Sequence, residues 1–348
     1  MANNYVLVSG ASGFIGSHTV VELLEAGFNV VGVDNFYNSD KDVIDGIRKI
    51  MELSNSKTKG EFYFEEIDCA NYDSFKTVFT KYKGIVGSIH FAAYKAVSES
   101  LEKPLEYYRN NLFSLINLVD LTTAFCEKQN VVFSSSCTVY GEPALKDLPI
   151  KESHPLQKSL TPYGKTKQMC EDIIKDCANA YKNFNSCALR YFNPIGAHPT
   201  SLIGELPKGV PQNLVPYITQ TAAGIRECLT IYGKDYNTPD GTCIRDYIWV
   251  VDLAKAHVAA LKKMLDNTSF NWNAYNIGTG TGVSVLELVN CFIKTTGVDL
   301  KYKFGERRSG DVEQVWADAT KAKRELGWEA NTPLEDIIKS AWEWQKRL

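Results

Sequence analysis

The sequence predicts an α/β protein: a doubly wound parallel sheet in the first half, followed by a smaller α/β C-terminal domain. Three observations carry that prediction. Short apolar runs recur at 5–9, 29–33, 62–67, 87–91, 130–133 and 186–190, each suited to a strand buried on both faces. Helical stretches separate several of them, which is the alternation that builds parallel sheets. Beyond residue 194 the alternation loosens, and loops rich in Pro and Gly fill 194–216.

Composition narrows the functional classes. The 348 residues are 44% hydrophobic and 23% charged, ordinary for a globular chain with a sizeable core, and could form one large or two ordinary domains. A formal net charge of −3 gives no reason to expect nucleic acid or a membrane surface as partner. No apolar run approaches the roughly 18 residues of a membrane span, and no leader pattern opens the chain, so a cytoplasmic location is expected. Nine cysteines stand at irregular spacing without a Cys-x-x-Cys pair, and the five histidines are scattered. Reduced thiols, no disulfide framework and no metal site are expected.

The first strand, 5–9, breaks into Gly10, Phe14 and Ile15 flanked by Gly13 and Gly16, and a helix is predicted over 17–26, stopped by Gly27. Glycines at 10, 13 and 16 permit a tight turn and let a pyrophosphate approach backbone N–H groups at a helix N-terminus. The second strand ends at Asp34, 18 residues after Gly16, near the offset for a carboxylate that accepts ribose hydroxyls. A carboxylate there repels a 2′-phosphate, so NAD is favoured over NADP. Asn35, Phe36, Tyr37 and Asn38 follow and would flank the adenosine. A helix and a surface loop are expected in 39–60. The third strand ends at Asp68 and Cys69, placed for the adenine edge. The fourth ends at Phe91, and Lys95 in the next loop can reach the ribose or phosphates. A long helix is expected over 107–126.

The fifth strand delivers Ser136, followed by Cys137 and Thr138. Pro162 presets a helical φ, so a helix starts there and sets Tyr163 and Lys167 one above the other. Tyr37/Lys41 and Tyr72/Lys76 share that spacing and are read as solvated pairs. A phenol working at neutral pH needs its phenolate stabilised by roughly 4 kcal/mol. One cation at ~4 Å supplies about that much at an effective dielectric of ~20.

The glycine spacing resembles the extended short-chain dehydrogenase/reductase family, and the full set of motifs resembles its UDP-glucose 4-epimerases. The residues carrying this lie at 10–18, 90–100, 133–141, 162–167, 189–198, 211–217, 241–253, 275–280 and 307–311. The related dehydratases place an acidic pair after the Ser136 position; Cys137 and Thr138 stand there in this chain. The resemblance implies a Rossmann-type NAD-binding domain over 1–188 and a UDP-sugar-binding domain over 189–348, with a segment near 246–265 returning to the first.

It also implies reversible epimerisation at C4 of UDP-glucose and UDP-galactose through a transient 4-keto sugar, in a homodimer. Tyr163 would exchange the proton of the 4-hydroxyl, Ser136 would hydrogen-bond the reacting oxygen, and Lys167 would hold the nicotinamide ribose and acidify Tyr163. Tyr191 would lie near the nicotinamide. Phe192, Asn193, Gln212, Asn213, Leu214, Thr230, Ile231 and Tyr232 would line the sugar-nucleotide pocket. Arg245 and Arg308 would meet the diphosphate, and Ser309, Gly310 and Asp311 would complete the pocket, Asp311 at the uridine ribose. Val315, smaller than the bulky residue of strict UDP-hexose enzymes, implies tolerance of UDP-GlcNAc and UDP-GalNAc.

An ion pair with Asp246 is the structural alternative for Arg245. The glycine-rich run 276–282 is expected to be a structural turn. Trp328, Trp342 and Trp344 are expected to serve packing in the C-terminal helix. Departures from the family pattern are Ala93 and Tyr94, Thr161, Gln212 and Trp249. A 4-epimerase of UDP-glucuronate or UDP-xylose and a non-catalytic NAD-sensing protein are the competing functions.

Overall fold

The computed structural model describes residues 4–267, 270–308 and 311–348. The first half alternates regularly: β1 (Tyr5–Ser9), α1 (Phe14–Glu25), β2 (Asn29–Asp34), α2 (Asp42–Leu53), β3 (Phe62–Glu66), α3 (Tyr72–Lys81) and β4 (Ile85–His90). It continues through α4 (Val97–Glu102), α5 (Pro104–Phe125), β5 (Gln129–Ser134), α6 (Pro162–Ala180) and β6 (Phe184–Tyr191). Among the described residues, seven strands form one parallel sheet, and β11 (Trp272–Ile277) is its last member. The order is β11-β6-β5-β4-β1-β2-β3, so the strand order reverses on either side of β1 and β4. A ligand crevice forms at the carboxyl end of such a sheet, where the crossovers part.

Strands β1, β2, β4 and β5 are almost wholly buried because their Val, Ile and Leu side chains face helices on both sides. One core lies on the face covered by α1, α2 and α8 (Val250–Asp266). The other lies under α3, α5 and α6. Helix α1 begins three residues earlier than its periodicity suggests, because Gly13 serves as N-cap and Phe14 to Gly16 form the first turn. Helix α5 begins at Pro104, which occupies the first turn without needing an N–H. Helix α3 lies where the sequence reading placed no element. Asn71 caps it through Ser74 N–H, and Phe75, Val78 and Phe79 bury its apolar face.

The second half carries β7 (Asn193–Ile195), α7 (Leu214–Ala222), β8 (Leu229–Tyr232), β9 (Ile244–Arg245) and β10 (Tyr247–Trp249) before α8. After β11 come β12 (Val283–Ser284), α9 (Val285–Thr296), β13 (Tyr302–Gly305), β14 (Gln314–Val315), α10 (Thr320–Leu326) and α11 (Leu334–Gln345). Their apolar faces form a separate core that includes Ile218, Ile231, Phe292 and Ile338. Ser284 and Glu287 form a reciprocal cap at the start of α9.

Two boundaries differ from expectation. The division at 188/189 falls inside β6, a continuous strand of the main sheet. The returning segment reaches residue 277, because α8 packs on α1 and β11 then pairs along β6. Trp328 lies after α10 rather than on the last helix; its indole N–H donates to Asp252 O at 2.9 Å.

Candidate active site

The glycine turn is shaped by contact. Gly10 has φ +72°, and a Cβ on it would stand 2.8 Å from Ala92 N. A Cβ on Gly16 would stand 2.0 Å from Gly10 O. These residues therefore let α1 start against the end of β1, with its first N–H groups at the mouth of the sheet and no capping side chain on Gly13. Asp34 accepts from Ser12 N at 3.1 Å and Phe36 N at 2.9 Å, which fixes its carboxylate beside the turn. Backbone cradle and acid together fit a dinucleotide with a free ribose diol.

The flanking residues converge on the same end of the sheet. Asn35 accepts from Tyr37 N at 3.0 Å. The Tyr37 ring stacks on Tyr94, a departure from the family pattern, with centroids 4.5 Å apart. Phe36 adopts φ +55° and packs near Phe64 at 5.2 Å, while Asn38 and Asp68 are exposed. Cys69 is buried, and Asn117 donates to its carbonyl at 2.9 Å. Phe91 faces His257 at 4.7 Å. Asn111 clasps Tyr94 through its N–H at 2.8 Å and its carbonyl at 3.1 Å, and donates to Thr166 on α6 at 3.0 Å. Lys95 is half exposed and sits 3.4 Å from Glu205.

Strand β5 ends at the centre of this face. Ser136 accepts from Thr138 N at 3.2 Å and from the Thr138 hydroxyl at 3.0 Å, starting a short 3₁₀ turn over Cys137–Tyr140. Thr161 caps α6 through Gly164 N–H at 3.3 Å. Lys167 is buried and donates to Ser134 O at 2.6 Å, with Nζ 5.8 Å from the Tyr163 ring centroid. The hydroxyls of Ser134 and Tyr191 are hydrogen bonded to each other.

Electrostatics here differ from the sequence expectation. Burial raises the Tyr163 phenol above its ordinary range, a nearby Tyr191 adds to this, and a hydrogen bond with Ser136 opposes it. Burial depresses Lys167 itself to about 8. The lysine is buried and committed to a carbonyl, and for the phenol desolvation outweighs the groups that lower it. Burial also raises Tyr191 to about 12 and lowers His90 to about 3, leaving His90 a neutral link 2.7 Å from Ser9 Oγ.

Across the cleft, Phe192 and Val315 are buried in one apolar cluster that Cys137 joins. Asn193 lies at the start of β7. Arg245 pairs with Asp311 at 3.7 Å, bringing two expected pocket residues together. Asp246 is not its partner, because that carboxylate is buried and already accepts from Thr279 N, Gly280 N and Ala317 N at 2.8, 3.2 and 3.1 Å. The same bonds occupy amides of the 276–282 run, which is a structural turn. Arg308 lies over the Tyr232 ring at 4.8 Å. Thr230 and Tyr232 share one face of β8, whereas the Ile231 side chain is committed to the core. Gln212 and Asn213 are exposed, and Leu214 packs against that core. Ser309 and Gly310 lie outside the described residues.

Three groups were not singled out from sequence. Ser134 holds both Lys167 and Tyr191. Glu171 receives the Ser135 hydroxyl and a bidentate Arg190, with bonds of 3.0 and 2.6 Å. Glu205 joins Lys95 to Asn213. Of these, Glu171 had a legible signal, since it stands one helical turn after Lys167. Among the described residues, no cluster of metal-binding side chains occurs and no helix is long and apolar enough to cross a membrane.

Comparison with known proteins gives concordant matches. A family model described as GDP-mannose 4,6 dehydratase matches residues 7–341. The UDP-glucose 4-epimerase of Homo sapiens is 46% identical over 345 residues, covering 98% of this chain and 96% of the relative. The structure of the UDP-glucose 4-epimerase from Stenotrophomonas maltophila, with bound NAD and formylated UDP-arabinopyranose, has TM-score 0.92 at 41% identity and covers 99% of this chain and 98% of that one. That from Bifidobacterium longum, in complex with NAD+ and UDP, has TM-score 0.90 at 42% identity, with the same coverage.

Proposed function

The chain belongs to the UDP-glucose 4-epimerase family, and we propose that it interconverts UDP-glucose and UDP-galactose at C4 with NAD as a retained cofactor. The observation that carries this is the convergence of Ser136, Tyr163 and Lys167 beside the glycine cradle and Asp34, at one end of one sheet. NAD, when bound, would supply a reversible hydride acceptor and a cationic ring that favours the Tyr163 phenolate, offsetting the burial that raises the phenol in the unliganded site. The chain's residues do the rest. Tyr163 takes the proton from the 4-hydroxyl and later returns it, and Ser136 hydrogen-bonds the reacting oxygen. Lys167, fixed by Ser134, holds the nicotinamide ribose. Arg245 and Arg308 grip the diphosphate, Asp311 the uridine ribose, and the apolar wall of Phe192 and Val315 leaves the hexose free to present either face. With Cys137 and Thr138 where an acidic pair would stand, elimination lacks its general acid.

Val315 is a mid-sized side chain in that wall, which supports acceptance of UDP-GlcNAc and UDP-GalNAc. The exposed apolar side chains Phe113 and Ile116 on α5 and Met169 on α6 support a homodimer through these helices. All nine cysteines are free, as suits a reducing cytoplasm.

The test is incubation of purified protein with UDP-galactose and no added NAD. UDP-glucose is expected to form, and Tyr163→Phe is expected to lower turnover at least about 100-fold with NAD still bound. Unchanged turnover in that variant would remove the assigned role. The same assay on UDP-GlcNAc tests Val315, and conversion of UDP-glucuronate or UDP-xylose in place of the hexoses would overturn the substrate assignment.

A further inference from the structure

Residues 197–213 run as a strap between the two halves of the molecule. At its start, Ala197 N donates to Ser340 Oγ at 3.0 Å and Ala197 O accepts from Trp249 Nε1 at 3.0 Å. In its middle, Glu205 O accepts from Trp344 Nε1 at 3.0 Å. These bonds fix the strap to the C-terminal half.

Two side chains then reach the cofactor half. Lys208 Nζ donates to Phe36 O at 2.9 Å and Tyr37 O at 3.1 Å, on the loop after Asp34. The Glu205 carboxylate lies 3.4 Å from Lys95 Nζ. The same oxygen, Oε1, accepts from Asn213 Nδ2 at 2.6 Å. The Glu205 side chain is only 9% exposed, so this is a largely buried carboxylate placed between Lys95 and Asn213, the two groups expected to meet the cofactor and the sugar nucleotide. A buried carboxylate is unfavourable unless a cation or hydrogen bonds compensate its charge. Here it is compensated on both sides at once.

We infer that Glu205 is a positioning residue that couples UDP binding to NAD retention, through Lys95 on one side and Asn213 on the other. This rests on the cofactor and substrate assignments proposed above. Glu205 takes one N–H of the Asn213 amide and so fixes its orientation, leaving the other N–H and the amide oxygen for a uridine nucleotide. A nucleotide that holds Asn213 steadies the strap. A steadied strap holds Lys95 and the 36–37 loop in place over the dinucleotide. Linkage makes the effect reciprocal: bound NAD improves the grip on UDP by the same factor. Such a device suits a reaction in which losing the reduced cofactor in mid-cycle would leave the enzyme inactive.

The experiment loads the full chain with NADH and follows its loss by fluorescence during dilution, with and without UDP as probe. In the unsubstituted protein UDP is expected to slow the loss by at least about fivefold. Glu205→Gln keeps the shape and an oxygen for Asn213 but removes the charge facing Lys95. Its ratio of loss rates is expected to fall to near one, with KM for UDP-galactose raised and kcat little changed. Lys208→Met, which cuts the second tie, is expected to lower the ratio in the same direction, and it carries the test if Glu205→Gln does not fold. A ratio near one in the unsubstituted protein, or an unchanged ratio in folded Glu205→Gln (in Lys208→Met if Glu205→Gln does not fold), overturns the inference. A chain that binds neither NADH nor UDP fails the proposed function instead, so the two failures are distinguishable.

Discussion

At the residue scale, the chemistry turns on how burial treats two ionisable groups one helical turn apart. An ammonium out of water costs free energy, and for Lys167 that cost exceeds the return from Ser134 O, so its pKa drops from 10.5 to about 8. The folded chain therefore binds fewer protons than the unfolded chain between those values. The penalty is full below pH 8 and is relieved as pH rises towards 10.5. A displacement of that size corresponds to about 3 kcal/mol. Lys167→Met is accordingly expected to gain up to that much stability at pH 7, to lose the gain near pH 10.5, and to abolish turnover. Thermal unfolding followed by circular dichroism at the two pH values checks it. A loss of stability at both would mean that the bond to Ser134 outweighs desolvation.

At the element scale, the βα turn is the most demanding piece of backbone. Gly16→Ala would drive a Cβ to 2.0 Å from Gly10 O, a backbone atom of the same turn with little room to give. The turn would have to open, and NAD affinity is expected to fall at least tenfold, or about 1.4 kcal/mol. Equilibrium dialysis measures it, and unchanged affinity would show that the turn can relax.

This turn, the strands and the start of α6 were legible in the sequence because each has a local signature: apolar runs, fixed glycines, or Pro after a capping residue. Helix α3 was missed because its apolar residues, Phe75, Val78 and Phe79, are few among polar neighbours. The partners of Lys95 and Arg245 were not legible, since Glu205 and Asp311 are 110 and 66 residues away. The raised phenol was missed for a related reason. Spacing on a helix shows which groups are neighbours, but burial, set by the whole fold, decides which charge survives.

At the scale of the whole molecule, a buried polar chain ties the late strand β11 to β6, α6 and the segment between β5 and α6. Arg190 bonds Glu171 and donates to Tyr140 OH at 3.0 Å; Tyr140 donates to Asn276 Oδ1 at 2.6 Å; Asn276 donates to Ile150 O at 2.8 Å. Every link is buried, so a broken one leaves unpaired groups in a low dielectric. Asn276→Ala is expected to cost roughly 2–4 kcal/mol from two orphaned partners, measured by urea unfolding. A cost within 0.5 kcal/mol would mean that water replaces the amide.

The sheet's outermost strand on the β6 side has an implication for biosynthesis. Because β11 is encoded more than eighty residues after β6, a nascent chain that has emerged only as far as β6 leaves that strand's border open. Self-association through this border is the hazard during translation, and it closes only when residue 277 has left the ribosome.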